Sequence, residues 1–158
     1  MKFLRKIITF YRLSISMKLL FIEAFVYLGW ARCLKLKSFS KVAPSLGKQM
    51  EETDYEKNIQ NKKELQNVSA ALHIMSHYTF WESECLVKAI AAMKMLEKRQ
   101  INSTLYLGTA RDKTGELVAH AWLRSGPYYI TGAEGMEKYT VVGKFAKDVT
   151  SQGKRRNQ

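Results

Sequence analysis

The spacing of apolar residues changes once along this chain, at Gln100. Before that point Leu65, Val68, Leu72 and Met75 recur every three or four residues, and so do Leu86, Ile90, Met93 and Leu96. This periodicity predicts two amphipathic helices, one running from Lys62 to about His77 and the next closed by Arg99 and Gln100. After Gln100 the runs shorten. Residues 104–109, 117–123, 128–131 and 139–142 read as strands, with turns at 112–115 and at Ser125-Gly126-Pro127 and a loop over 132–135. Helices followed by short, sequence-adjacent strands specify an α+β fold with helices packed on an antiparallel sheet.

Upstream, Lys2, Arg5, Lys6, Arg12 and Lys18 precede the apolar run Leu19 to Trp30, an order shared with secretory signals. Glu23 interrupts the run, and Trp30-Ala31-Arg32-Cys33 puts an arginine where a cleavage site needs a small residue. A spanning helix needs ~20 apolar residues. The segment is therefore expected to be a helix over about residues 16–33, apolar on most of its surface and needing protein or lipid against it. Residues 38–63 change character: Pro44, Ser45 and Gly47 punctuate them, and Glu51, Glu52, Asp54 and Glu56 form an acidic cluster, which reads as a surface connection. The expected organisation is a helical N-terminal region and connection over 1–61, a core over 62–150 and a basic tail over 151–158, within one compact domain.

Composition narrows the function classes. With 46% hydrophobic and 25% charged residues among 158, the chain is of ordinary globular make-up. Its net charge of +12 draws it toward anionic partners without choosing among nucleic acid, lipid and acidic peptide. Aromatic and basic residues are not interleaved as a stacking platform, which argues against nucleic acid. Two cysteines, Cys33 and Cys85, make neither a disulfide scaffold nor a cysteine-rich zinc site and fit a reducing, cytoplasmic setting. His73 and His77, four apart, have metal-ligand spacing but lack a third ligand, so they read as surface histidines.

Cys85 and His120 are the residues able to do chemistry. Thr79 with Glu82 forms a capping box, and Ser83 offers a later cap; either start puts Cys85 near the N-terminus of its helix. Free amides and the positive end of the helix dipole favour a negative sulfur there, and the same amides can donate to an oxyanion. His120 follows 35 residues later on the strand over 117–123, an order that can bring thiol and imidazole together. The alternative for Cys85 is a small buried helix residue. Trp81, one turn before Cys85, and Trp122, on the same strand face as His120, flank this position and either wall off water or pack the core.

The segments Trp81-Glu-Ser-Glu-Cys85-Leu86, Leu96-Glu-Lys-Arg-Gln-Ile101, Leu105-Tyr-Leu-Gly108 and His120-Ala-Trp122 resemble the transglutaminase-like leader peptidases of lasso-peptide biosynthesis. Trp30-Ala-Arg32 and Phe39-Ser-Lys-Val-Ala-Pro44-Ser-Leu-Gly47 look like the helical N-terminal part of the same family, so the resemblance runs from about Leu19 to Phe145. It implies a papain-like cysteine peptidase fold, with Cys85 as nucleophile and His120 as base. The implied activity removes the leader from a precursor peptide before a separate asparagine-synthetase-like cyclase closes the macrolactam. No segment before Lys62 has the strand content of a leader-recognition domain, so the resemblance implies the split form, served by a separate recognition protein. The family places an aspartate about a dozen residues past the histidine; here that stretch is Thr131-Gly132-Ala133-Glu134, and Glu134 is the nearest carboxylate. If Glu134 does not hold the imidazole, a backbone carbonyl or a partner does. ATP is linked to the family's activity, yet the chain carries no Gly-x-x-x-x-Gly-Lys loop. A transglutaminase-type acyl transferase and a basic membrane- or nucleic-acid-binding module stand as alternatives, and peripheral membrane contact stays open.

Overall fold

A computed structural model describes residues 13–56, 59–81 and 83–149. Glu82 and the basic tail with Lys154, Arg155 and Arg156 lie outside the described residues. The described elements run α1 (Ile15–Leu34), α2 (Phe39–Leu46), β1 (Lys48–Gln49), a 3-10 turn (Ile59–Asn61), α3 (Lys62–Ser76), α4 (Cys85–Lys98), β2 (Ser103–Arg111), β3 (Leu117–Ser125), β4 (Tyr128–Thr131), a second 3-10 turn (Met136–Lys138) and β5 (Thr140–Lys147). The five strands form one antiparallel sheet in the order β1-β5-β2-β3-β4. The α+β architecture expected from the periodicity is the one observed.

Each helix boundary has a local cause. Ser14 Oγ accepts from the Met17 amide and caps α1. At the other end of the helical layer, Gln100 takes a left-handed φ of 57° and the Ile101 amide bonds back to Leu96 O, which stops α4 and turns the chain into β2. Helix α2 is a departure from expectation, since Pro44 and Gly47 read as loop punctuation. Its Val42 and Leu46 are buried, so tertiary burial outweighs the local signal. Strand β1 also falls in that stretch and joins the sheet edge by pairing Lys48 with Ala146 and Gln49 with Phe145.

The core lies between the helices and one sheet face. Ala24 and Leu28 of α1, Val68 and Leu72 of α3 and most of α4 meet Leu105, Ala121, Leu123 and Phe145 there. Strand side chains alternate, so His120, Trp122 and Arg124 project from the other face of β3, opposite Gly108, Tyr106 and Thr104 of β2. Arg124 is fully buried on that face. Its guanidinium donates to Tyr106 Oη at 2.9 Å, Thr53 O at 2.7 Å and Gly126 O at 2.7 Å and lies 3.6 Å from the Tyr55 ring. This satisfies a buried charge and straps residues 53–55 across the sheet. Burial holds the Tyr106 hydroxyl well above its usual range. Between helices, Arg99 binds Glu23 of α1 through two bonds of 2.8 Å, a bidentate clamp reinforced by Glu64 of α3.

Candidate active site

Helix α4 begins at Cys85, with Glu84 as its N-cap residue, one position after a cap at Ser83 and five after a cap at Thr79. Thr79 does not cap the helix. Its hydroxyl bonds Ser83 Oγ at 2.8 Å and the carbonyls of Ser76 and Trp81 at 3.1 Å, which organises the loop leading into α4. The Glu84 carboxylate makes no capping bond and pairs instead with Lys35. The amide of Lys88 is the one that returns to Glu84 O, so the amides of Cys85, Leu86 and Val87 precede the helical ladder. Cys85 therefore sits in the first turn, half-buried, and the N-cap side chain of Glu84 makes no capping bond to that turn.

Cys85 and His120 line the same cleft, about 730 Å³ in volume, between α3, the start of α4 and the outer strand β4. No hydrogen bond joins Sγ to the imidazole among the described residues. The register explains where the cleft opens. Strand β4 pairs with β3 only from Leu123 to Ser125, and beyond Thr131 the chain leaves the ladder and passes beside Ala121 and His120 at Gly132.

Three contacts fix the imidazole. Nε2 lies 2.8 Å from Gly132 O and donates to it, which leaves Nδ1 as the proton-accepting nitrogen. Its ring lies 5.8 Å from the Trp122 ring at 28° and 5.0 Å from Tyr139 at 33°. Gly108 makes room for this stack, because a Cβ there would lie 2.8 Å from Tyr139 Cβ and 2.9 Å from the Trp122 ring. Gly132 has a left-handed φ of 71° and presses so close to β3 that a Cβ would lie 2.4 Å from Ala121 O. Glu134 lines the cleft but is exposed and makes no hydrogen bond to His120 among the described residues. The carboxylate sought two residues further on is thus replaced by the Gly132 carbonyl.

The two tryptophans divide. Trp122 is buried, stacks at 5.6 Å on Tyr106 and supports the imidazole from the side. Trp81 does not wall the cleft: it packs on Phe25 at 5.0 Å and on Gly29, and so locks the entry of α4 against α1. His73 is exposed, as a surface histidine should be, but it also lines the cleft, with its ring 5.0 Å from His77. Lys62, Gln66, Ser69 and Lys88 join it on the helical wall, and residues 128–133 form the opposite wall. Ser69 ties the walls together by donating to Ile130 O at 2.7 Å. No spacing rule singled these out, since each sits on an ordinary amphipathic helix. No group of three or more His, Cys, Asp or Glu able to hold a metal occurs among the described residues.

A thiol in the first turn of a helix and an imidazole with a fixed tautomer, lining one cleft, are the parts of nucleophilic acyl chemistry. Comparison with curated proteins and with solved structures returns no match for the chain. The profile of one family does match, over residues 26–144, which covers α1 from its middle and every later described element up to most of β5. The chain belongs to the transglutaminase-like superfamily.

Proposed function

We propose that the protein is a cysteine endopeptidase that removes the leader from a lasso-peptide precursor. The superfamily includes cysteine peptidases and acyl transferases, and both begin with attack of a thiolate on a carbonyl. The observation that carries the reading is that Cys85, in the first turn of α4, lines one cleft with His120, whose Nε2–H is engaged by Gly132 O. In the proposed reaction Nδ1 of His120 takes the thiol proton and Sγ attacks the carbonyl at the leader–core junction. The first-turn amides of α4 receive the oxyanion. The imidazolium then protonates the departing amine of the core, and water hydrolyses the acyl-enzyme to free the leader. The peptidase outcome rests on the sequence resemblance, which spans the nucleophile and histidine segments alike.

The cleft offers grip only near the scissile bond, and so small a contact gives weak binding. A separate leader-recognition protein raises the effective concentration of the junction, and the asparagine-synthetase-like cyclase then consumes the freed amine. The experiment uses the purified chain and a lasso-peptide precursor, with and without a leader-recognition protein and ATP, and reads product masses. Free leader and free core, produced faster with the recognition protein and absent with Cys85→Ala, is the expected result. Leader joined to an added amine would assign acyl transfer instead.

A further inference from the structure

Helix α1 is a surface helix whose exposed positions carry no charge, although the chain as a whole carries +12. Ile15, Leu19, Ile22 and Val26 are 76, 60, 61 and 58% exposed, and Trp30 and Cys33 continue the same line. Their spacing of three and four residues places them on one stripe, ~27 Å long at 1.5 Å per residue. The opposite side of the helix, with Leu20, Ala24, Leu28 and Ala31, is buried in the core, so the stripe is not needed to hold the fold. A contiguous apolar strip of this size marks an interaction surface.

Charge selects the occupant. The helix has one carboxylate, Glu23, and it is turned aside and engaged by Arg99 and Lys98. Basic residues bracket the stripe: Lys18 near its start, Arg32 at its end, and the exposed Lys37 and Lys41 just beyond. In the sequence, Lys2, Arg5, Lys6 and Arg12 precede it. A second copy of the chain would bring another +12 against the same basic rim, which disfavours self-association. An apolar strip bracketed by cations matches a bilayer whose headgroups are anionic and whose interior is apolar. No described helix is long and apolar enough to cross a membrane.

We propose that this face of α1 docks the protein flat on an anionic lipid surface, with Leu19, Ile22 and Val26 entering the acyl boundary and Trp30 at headgroup depth. The proposal does not depend on the peptidase reading.

Flotation of the full chain tests it, with phosphatidylcholine vesicles with and without 30% phosphatidylglycerol at physiological salt. Wild type should float with the anionic vesicles and not with the neutral ones, and Leu19→Glu/Val26→Glu should weaken that binding roughly tenfold or more. Both positions are exposed, so the variant should melt with the wild type. Should it fail to fold, brominated lipid provides a second readout: it should quench wild-type tryptophan fluorescence, and Trp30→Phe should remove the quench. Undiminished binding by the double variant would show attraction by charge alone and overturn the proposal. So would failure of the wild type to float, a wild-type dimer dispersed by the same substitutions, or capture of the recognition protein through this stripe without vesicle binding.

Discussion

Replacing Gly132 with alanine is the sharpest test of how the imidazole is held. Its φ of 71° lies in the left-handed region, where a side chain costs ~1–2 kcal/mol. The new Cβ would also stand 2.4 Å from Ala121 O and 2.9 Å from Trp122 Cβ. Both belong to the paired strand β3, so the relief must come from moving the backbone of residue 132, at an overpacking cost of ~1–3 kcal/mol. The sum is ~2–5 kcal/mol, which for a domain of this size lowers the melting temperature by roughly 5–15 °C. That movement also displaces the carbonyl that accepts from His120 Nε2 at 2.8 Å.

Gly135→Ala is the control. Gly135 has nearly the same φ, 75°, but nothing within 4 Å of its Cβ position, so it carries the backbone cost alone. Thermal and urea melts of the two variants isolate the close contact, and imidazole nitrogen shifts report whether His120 keeps its tautomer. Gly132→Ala should be the less stable of the pair and should release His120 Nε2–H to solvent; Gly135→Ala should leave the ring as in wild type. Equal melting of the two variants with an unchanged His120 signal would refute the account.

Cys85→Ala should abolish turnover while leaving the melt intact. Mapped alkylation gives an independent reading: Cys33 is exposed and Cys85 half-buried, so iodoacetamide modification of Cys85 ahead of Cys33 would report activation rather than access, and the reverse order would count against it. His120→Ala should lower the rate ~10²-fold or more. Glu134→Gln should stay within about twofold of wild type, because the carbonyl and not this carboxylate orients the ring; a fall comparable to that of His120→Ala would restore Glu134 to the site. Hydrogen bonding to Arg99 holds the Glu23 carboxyl below its usual range. Stability linked to that shift is present above the ordinary carboxylate value and is lost as pH falls through the lowered one, because the unfolded chain takes up the proton first. Glu23→Gln should therefore melt below wild type at pH 7, with the gap narrowing in acid, and a gap independent of pH would refute the clamp.

What the sequence discloses depends on whether the determinant is local. The change of period at Gln100, the strand at Tyr128–Thr131 and the position of Cys85 near a helix N-terminus all rest on neighbours within a few residues, and all appear in the structure. Helix α2 does not announce itself, because its formation rests on burying Val42 and Leu46 while Pro44 and Gly47 signal a break. The start of α4 differs from the capping signal for a related reason. Thr79 has the composition of a cap, yet its hydroxyl is used by Ser83 and two carbonyls of the preceding loop. His73 reaches the cleft only because α3 packs beside β4, a relation no spacing along one helix records.

The partner of His120 shows the same limit in chemical form. The sequence offers Glu134 as the nearest carboxylate and a backbone carbonyl as the alternative, without saying which carbonyl. A backbone carbonyl is present at every residue, so only the fold can select one, and here the left-handed turn at Gly132 does. The substitution has a mechanistic consequence. A carbonyl fixes the tautomer as well as a carboxylate does, but it opposes the imidazolium with a dipole instead of a full charge. The hydrogen bond to the imidazole is then insensitive to side-chain changes at 133 or 134 and vulnerable where the backbone of residue 132 is moved. That is why the discriminating pair is Gly132→Ala against Glu134→Gln: a carboxylate-dependent site would lose rate with the second, and a carbonyl-dependent site with the first.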